Sequence, residues 1–190
     1  MNKSSKKNLL FFFFFSTIIL FKKERKRKMI LKELKIEAWS GDATNCYIVE
    51  DEKTKETMVI DPAGDVDKIG EMLDILQAKL KYIYLTHCHG DHIGGVDELK
   101  QKYGGQIVAE RNAAENLLNP DVSLTSYIGF QGLTVTVDAR VDDGDLLHLG
   151  ELEFRVIHTP GHTSGGSCLY CEEEKLLFSG DTLFRGTWGR

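Results

Sequence analysis

Three histidines and an aspartate fall within six residues of one segment, at His87, His89, Asp91 and His92. Such groups are costly to bury unless they are paired or bound to a metal, so their density favours a metal site over packing. His87 and His89 lie two apart in an extended segment and project to the same side, while Asp91 and His92 follow a glycine and can address a second ion. The segment therefore predicts two adjacent divalent-metal sites and hydrolytic chemistry.

Written as T-H-x-H-x-D-H, the segment Thr86–His92 resembles the signature of the metallo-β-lactamase superfamily. Three further motifs resemble those of the same family and occur in the same order. They are V-I-D-P-A-G at Val59–Gly64, T-P-G-H-T at Thr159–Thr163 and F-S-G-D-T at Phe178–Thr182. The resemblance covers most of residues 29–190 and implies an α+β fold, the αβ/βα four-layer sandwich of that family.

Residue by residue, the resemblance implies that two divalent metal ions share one set of ligands. The ligands are His87, His89 and His162 for the first ion, Asp91 and His92 for the second, and Asp181 as a bridge. Zinc is the metal that the resemblance implies, with iron or manganese as alternatives. Two such ions would lower the pKa of the water between them and supply hydroxide, which Asp91 would orient for attack.

Three residues near these ligands need separate interpretations. The resemblance places Asp61 behind the ligands and in contact with them, although this residue could instead only shape the turn before Pro62. Cys88 lies between two ligands, but in an extended segment its side chain points away from theirs. His158 alternates onto the apolar face of its strand, so we expect it in the core or behind the ligands.

One element of the family pattern is missing. The resemblance calls for a further histidine at the second metal, from a turn well downstream of Asp181, yet the sequence stops nine residues later at Arg190. We therefore expect residues 29–190 to be a metallo-β-lactamase-fold domain that is incomplete at its C-terminus. The missing part is the C-terminal part of the second half of the sandwich, and its loss would weaken the second metal site.

The run Gly180–Arg190 looks most like the glyoxalase II-like branch of the family, the hydroxyacylglutathione hydrolases and their short relatives. This resemblance implies a thioester hydrolase that acts on a small-molecule substrate. A mononuclear-iron persulfide dioxygenase built on the same ligands is the first alternative. A non-catalytic truncated fragment that only binds metal is the second.

The elements that position these residues can be read from the apolar pattern. Ile30–Ile36 is expected to be a first strand, and Thr44–Glu50 and Glu56–Asp61 a hairpin around a charged turn. Lys81–Leu85 is a short buried strand that leads directly into the metal-binding segment. One helix has Asp65 as its N-cap and an apolar face at Ile69, Met72, Leu73, Leu76 and Leu80.

A second helix has Val96, Leu99 and Tyr103 on its inner face and ends at Gly104 and Gly105. A strand over Gln106–Ala109 and a helix over Arg111–Leu118 repeat this order. The later segments Leu133–Val141, Glu151–His158 and Lys175–Ser179 are predicted as β structure with little helix between them. Helices packed on the outside of sheets follow from this mixture.

The charge is distributed unevenly along the chain. The formal charge is −5, but residues 1–28 hold nine Lys/Arg and one acid, which leaves 15 bases and 28 acids in the rest. Residues 29–190 therefore carry a formal charge of about −13, which repels phosphate backbones. We expect no nucleic-acid partner, and a transfer-RNA-processing nuclease is disfavoured.

Residues 1–28 form a basic and apolar N-terminal extension. Its apolar run, Leu9–Phe21, would span roughly 20 Å as a helix, short of a bilayer core of about 30 Å, and lacks a signal-peptide cleavage site. We expect Met29 to be the natural start, or residues 9–21 to give weak membrane association. The four cysteines show no disulfide framework, Cys168 and Cys171 are expected to be buried, and a cytoplasmic location follows.

Overall fold

The computed structural model describes residues 29–39 and 42–190, which form two main β-sheets with helices against one of them. The strands are β1 (Met29–Trp39), β2 (Asp42–Asp51), β3 (Glu56–Ile60), β4 (Lys79–Leu85), β5 (Gln106–Glu110), β6 (Ala139–Val141), β7 (Leu146–Leu149), β8 (Leu152–His158), β9 (Ser167–Cys171), β10 (Leu176–Phe178), β11 (Leu183–Phe184) and β12 (Thr187–Trp188). The helices are α1 (Val66–Leu76), α2 (Gly90–Ile93), α3 (Val96–Tyr103) and α4 (Arg111–Asn116), with a 3₁₀ turn at Gly180–Thr182.

The first sheet has the order β1-β2-β3-β4-β5-β6, and its strands pair antiparallel from β1 to β3 and parallel from β3 to β6. The second sheet, β10-β9-β8-β7, is antiparallel throughout, and β11 and β12 form a separate hairpin. Parallel strands end at the same edge of a sheet, so the polar segments that follow β3 and β4 lie side by side.

The first sheet is buried on both faces, because its central strands are apolar at successive positions. Val59 and Ile83 face the helices and pack with residues of α1 and α3. Met58 and Tyr84 face the second sheet and pack with Phe154 and its neighbours. The layers run helix, sheet, sheet in the described residues, which contain no counterpart of the fourth, helical layer of the predicted αβ/βα sandwich.

The hairpin β2–β3 and the N-cap of α1 confirm the sequence predictions, since the Asp65 carboxylate accepts a hydrogen bond from the Lys68 backbone N–H. The predicted extension of this helix to Leu80 was wrong. Gln77 is left-handed, with φ 54°, and ends α1, so Leu80 lies in β4. Its apolar side chain still packs against the core below α1, which explains why the helical pattern continued past the helix.

The predicted β structure over Leu133–Val141 was also mostly wrong, because only β6 is a strand. The Val135 N–H donates to the Leu117 carbonyl, so the first part of the segment bonds to the end of α4 instead of to a neighbouring strand. Val135 is fully buried in the core below the helices. Apolar residues therefore anchor this loop without forming part of the sheet.

The predicted N-terminal extension, residues 1–28, lies outside the described residues, as does its apolar run, Leu9–Phe21. Among the helices of residues 29–39 and 42–190, none has the length and apolar character needed to cross a bilayer.

Candidate metal centre

The predicted metal ligands and Asp61 come from segments that meet where strands of both sheets end. Asp61 follows β3, and the segment from His87 to His92 follows β4 and enters α2. His162 lies in the loop between β8 and β9, and Asp181 lies in the 3₁₀ turn after β10. The two sheets are joined at this edge because the Ser167 N–H, at the start of β9, donates to the Thr86 carbonyl at 2.9 Å.

A first group of possible ligands consists of His87, His89 and His162, each with one ring nitrogen within 4.8 Å of the others. His162 Nε2 and His89 Nδ1 are 3.0 Å apart. Two nitrogen ligands of one tetrahedral zinc ion lie roughly 3.4 Å apart, so these two nitrogens would need to separate only slightly to bind such an ion. This group contains the three histidines that the sequence assigned to the first metal.

A second group consists of His87, His92 and Asp181, with ligand atoms again within 4.8 Å of one another. Asp181 faces both groups, because its Oδ1 lies 3.3 Å from His92 Nε2 and its Oδ2 lies 3.5 Å from His162 Nε2. A carboxylate placed in this way has one oxygen for each of two ions. His87 is therefore common to both groups, and Asp181 lies between them.

A bound metal would also satisfy a polar atom that has no other partner. Within the described residues, His87 Nε2 is buried and has no hydrogen-bond partner. Leaving such a nitrogen unpaired costs about 1–3 kcal/mol, a cost that coordination would remove. A small cavity of about 10 Å³ adjoins the same histidine and is also lined by His162 and Asp181. The donors present thus fit a divalent cation of the zinc or iron type.

Two ligands are oriented by oxygen atoms on the far side of their rings. His92 Nδ1 lies 2.9 Å from Asp61 Oδ2, and His162 Nδ1 lies 3.0 Å from the main-chain oxygen of Arg190. Both oxygens only accept hydrogen bonds, so each Nδ1 donates, and each Nε2 is left for the metal groups. Asp61 thus lies behind a ligand and in contact with it, as the resemblance implied.

Burial and the other imidazoles set the charge state of two of the ligands. Burial lowers the pKa of His87 well below its usual range, and the neighbouring rings, that of His92 first, act in the same direction. Burial followed by the ring of His162 lowers the pKa of His89. Both rings are therefore neutral near pH 7, which is the form that binds metals.

His92 differs because it lies between two carboxylates. Burial opposes its charged form, but the charges and hydrogen bonds of Asp61 and Asp181 outweigh burial and raise the pKa of His92 well above its usual range. For Asp181, burial acts to raise the pKa, but the hydrogen bond from His92 and its charge outweigh burial and lower it. A divalent cation in the second group would displace the proton on His92 Nε2.

The structure does not bring Asp91 into either group. Its Oδ2 lies 3.8 Å from His92 Nε2, and its side chain is 40% exposed at the rim of the site. The residue lies in the first turn of helix α2, where a carboxylate is favoured by the backbone N–H groups. Ligation of the second metal by Asp91 stays a prediction, and its position favours contact with solvent or substrate.

Other sequence expectations near the site have mixed outcomes. Cys88 is buried in the core below the helices, facing away from the ligands as expected, and Cys168 and Cys171 are buried as well. His158 was expected in the core or behind the ligands but is only half-buried. Its Nε2 donates instead to the Ser164 carbonyl at 3.0 Å and so holds the loop that carries His162.

Thr86 was present in the quoted motif but received no role from the sequence. Its hydroxyl lies 2.7 Å from Asp61 Oδ2 and 3.1 Å from His87 Nδ1. The signal that could have identified it is its position directly before the first histidine, in a chain with an aspartate at the end of the preceding strand.

The family model of the metallo-β-lactamase superfamily matches residues 39–190, and the chain belongs to this superfamily. An uncharacterized protein of Aquifex aeolicus is 38% identical over 151 residues, which cover 78% of this chain and 69% of that protein. The hydroxyacylglutathione hydrolase GloC of Haemophilus influenzae is 31% identical over 148 residues, covering 77% of this chain and 69% of the relative. The chain spans about half of some longer relatives, such as the hydroxyacylglutathione hydrolase of Pelagibacter ubique, with 50% covered at 33% identity.

Solved structures of the same fold agree with this assignment. The B3 metallo-β-lactamase BLEG-1 superposes with a TM-score of 0.75 at 30% identity, over 85% of this chain and 76% of that one. ETHE1 from Myxococcus xanthus gives a TM-score of 0.64 at 25% identity, over 85% and 61%. TTHA1623 in a di-iron-bound form gives 0.67 at 26% identity, over 84% and 76%. The predicted metallo-β-lactamase fold is thereby confirmed.

Proposed function

We propose that this chain is a metal-dependent hydrolase with two divalent ions, and that its substrate is a small-molecule thioester. One observation carries the proposal: Asp181 lies between two overlapping groups of ligand atoms and has one carboxylate oxygen near each group. Two relatives named as hydroxyacylglutathione hydrolases support thioesters as the substrate class, and the chain covers 69% and 50% of their lengths. Zinc is the proposed metal, and the name of the di-iron form of TTHA1623 supports iron as the alternative.

Each residue of the site has a distinct role in this proposal. Five residues hold the metals, namely His87, His89, His92, His162 and Asp181. When bound, divalent ions at these positions lower the pKa of water toward neutrality and polarise a carbonyl oxygen. Asp91, at the rim, accepts a proton from the attacking water and orients it. No serine or cysteine nucleophile is required, which agrees with the burial of Cys88 in the core.

The first prediction concerns metal removal. Dialysis of the full chain against a chelator should lower thioester hydrolysis by at least about 100-fold, because water at neutral pH is a poor nucleophile without a metal. Addition of Zn²⁺ should restore the rate. We would measure release of free thiol from a panel that includes an acylglutathione and an aliphatic thioester of similar size. Hydrolysis that survives complete metal removal, in a chain whose circular dichroism is unchanged, would exclude the proposed mechanism.

A second prediction concerns Asp91, which lies outside both ligand groups. Asp91→Asn keeps the shape of the side chain but removes the proton acceptor, so kcat should fall by about 10² to 10⁴-fold. Metal content, measured by elemental mass spectrometry, should stay near that of the wild type. A large loss of metal in this variant would instead assign Asp91 to the second ion. Asp97→Asn, an exposed acid in the first turn of α3, is the matched control.

A mononuclear-iron persulfide dioxygenase is the second candidate, and one observation favours it. His87, His92 and Asp181 form a set of two imidazoles and one carboxylate, which is the ligand set of many non-haem iron oxygenases. One iron per chain and oxygen consumption with a persulfide would favour this candidate over the hydrolase. A chain that binds no metal would favour the third candidate, a non-catalytic fragment.

The expected small-molecule partner, the absence of a nucleic-acid partner and the cytoplasmic location stay predictions. The acidic balance of residues 29–190 supports the second of these.

A further inference from the structure

A buried network of hydrogen bonds surrounds the carboxylate of Asp61. Asp61 Oδ1 accepts from the Thr86 backbone N–H at 2.8 Å. Asp61 Oδ2 lies 2.7 Å from Thr86 Oγ1 and 2.9 Å from His92 Nδ1. The hydroxyl of Thr86 also lies 3.1 Å from His87 Nδ1. Asp61, Thr86, His87 and His92 are all buried, so these contacts are shielded from competing water.

The number of protons in this network determines how His87 is protonated. An ionised carboxylate only accepts hydrogen bonds, and a hydroxyl has a single proton to donate. The contact of Thr86 Oγ1 with Asp61 Oδ2 is the shorter of the two and has a charged acceptor, so the hydroxyl proton points to Asp61. A lone pair of Thr86 Oγ1 then faces His87 Nδ1. His87 Nδ1 must therefore carry the proton of the neutral ring, and His87 Nε2 is left as a lone-pair donor.

We propose that Thr86 is a positioning residue that holds His87 in the Nδ1–H tautomer and so presents the lone pair of Nε2 to the metal centre. This inference rests on the proposed metal centre. One carboxylate, that of Asp61, thereby orders two ligands, His92 directly and His87 through the threonine hydroxyl. The unpartnered, buried state of His87 Nε2 agrees with this arrangement.

The side chain of Thr86 also packs against the turn that carries Asp181. Gly180 precedes Asp181 and has a φ of +47°, and a Cβ atom at this glycine would lie 2.3 Å from Thr86 Oγ1 and 2.7 Å from Thr86 Cβ. The threonine side chain thus fills the space that a larger residue at position 180 would need. The hydroxyl placed here contacts the ligand His87 and the carboxylate that orders His92, and it lies against the turn that carries Asp181.

Zinc affinity tests the role of the hydroxyl. Thr86→Val keeps the shape of the side chain but removes the hydrogen bonds, and should weaken Zn²⁺ binding by about 10- to 100-fold in competition with a chromophoric chelator. Thr86→Ser keeps the hydroxyl and should stay within about threefold of the wild type. Thr57→Val is the matched control, because Thr57 is a buried threonine whose hydroxyl lies 3.2 Å from Glu50 Oε2 at the opposite end of β3. Equal losses in the serine and valine variants would overturn the proposal.

The tautomer itself is measured on the metal-free protein. The full chain, with ¹⁵N-labelled histidine and a His87→Gln variant for assignment, should give a protonated Nδ1 and an unprotonated Nε2 for His87. Thr86→Val should give a mixture of both tautomers. A proton on Nε2 of His87 in the wild type would overturn the proposal. This readout needs neither metal nor activity, so a chain that binds no zinc overturns the proposed function but leaves the tautomer to decide this inference.

Discussion

His87→Ala is expected to abolish metal binding at both groups of ligands, whereas His89→Ala is expected to remove about one ion per chain. The difference follows from the geometry, because the single lone pair of His87 Nε2 can complete either group of three ligands, whereas His89 belongs only to the first group. The alanine at position 87 also leaves a buried polar cavity between the remaining imidazoles and Asp181. Thioester hydrolysis should fall by at least about 10³-fold in this variant, because no complete group of three ligands remains.

Elemental mass spectrometry of the full chain, purified without chelator, gives the number of ions per chain for each variant. His148→Ala is the control, since His148 lies on β7 with a side chain that is 63% exposed. It should keep the wild-type metal content. If the two variants at positions 87 and 89 lose the same number of ions, His87 does not complete both groups and this prediction is wrong.

The sequence predicted much of this site because most of the ligands are set by local spacing. His87, His89 and His92 follow one strand within six residues, so an extended segment and one turn place their rings together. His162 and Asp181 are distant in sequence and could be assigned only through the resemblance to a family. The contact between Asp61 and His92 joins residues 31 positions apart, and the parallel pairing of β3 and β4 explains it.

The parts that the sequence did not predict depend on tertiary contacts. The exposure of Asp91 depends on how α2, which begins at Gly90, is oriented, and periodicity does not determine this orientation. Leu80 and Val135 were placed in the wrong elements, because burial in one core produces the same apolar pattern in a helix, a strand or an anchored loop. The sequence pattern also does not predict that His158 supports the loop that carries His162, because its hydrogen bond goes to a main-chain carbonyl.

The loop that carries His162 is held closely against α4, and this contact makes one glycine critical. A Cβ atom at Gly165 would lie 2.0 Å from the backbone nitrogen of Ala113 and 2.5 Å from its Cα. The backbone there cannot move freely, because the Glu110 carboxylate caps α4 by accepting from the Ala113 N–H, and Asn116 Nδ2 donates to Ser164 Oγ at 2.8 Å.

Gly165→Ala should therefore lower the free energy of unfolding by more than about 3 kcal/mol, the upper range for forcing one methyl group into a packed interior. Gly64→Ala is the matched control: its Cβ would meet only Ile36 Cγ2, at 3.7 Å, and neither glycine has a positive φ, so steric contact is the variable. Urea unfolding of the full chain should show a change within about 1 kcal/mol for the control. A Gly165→Ala variant as stable as the control, with unchanged metal content, would mean that the loop moves away from α4 without displacing His162.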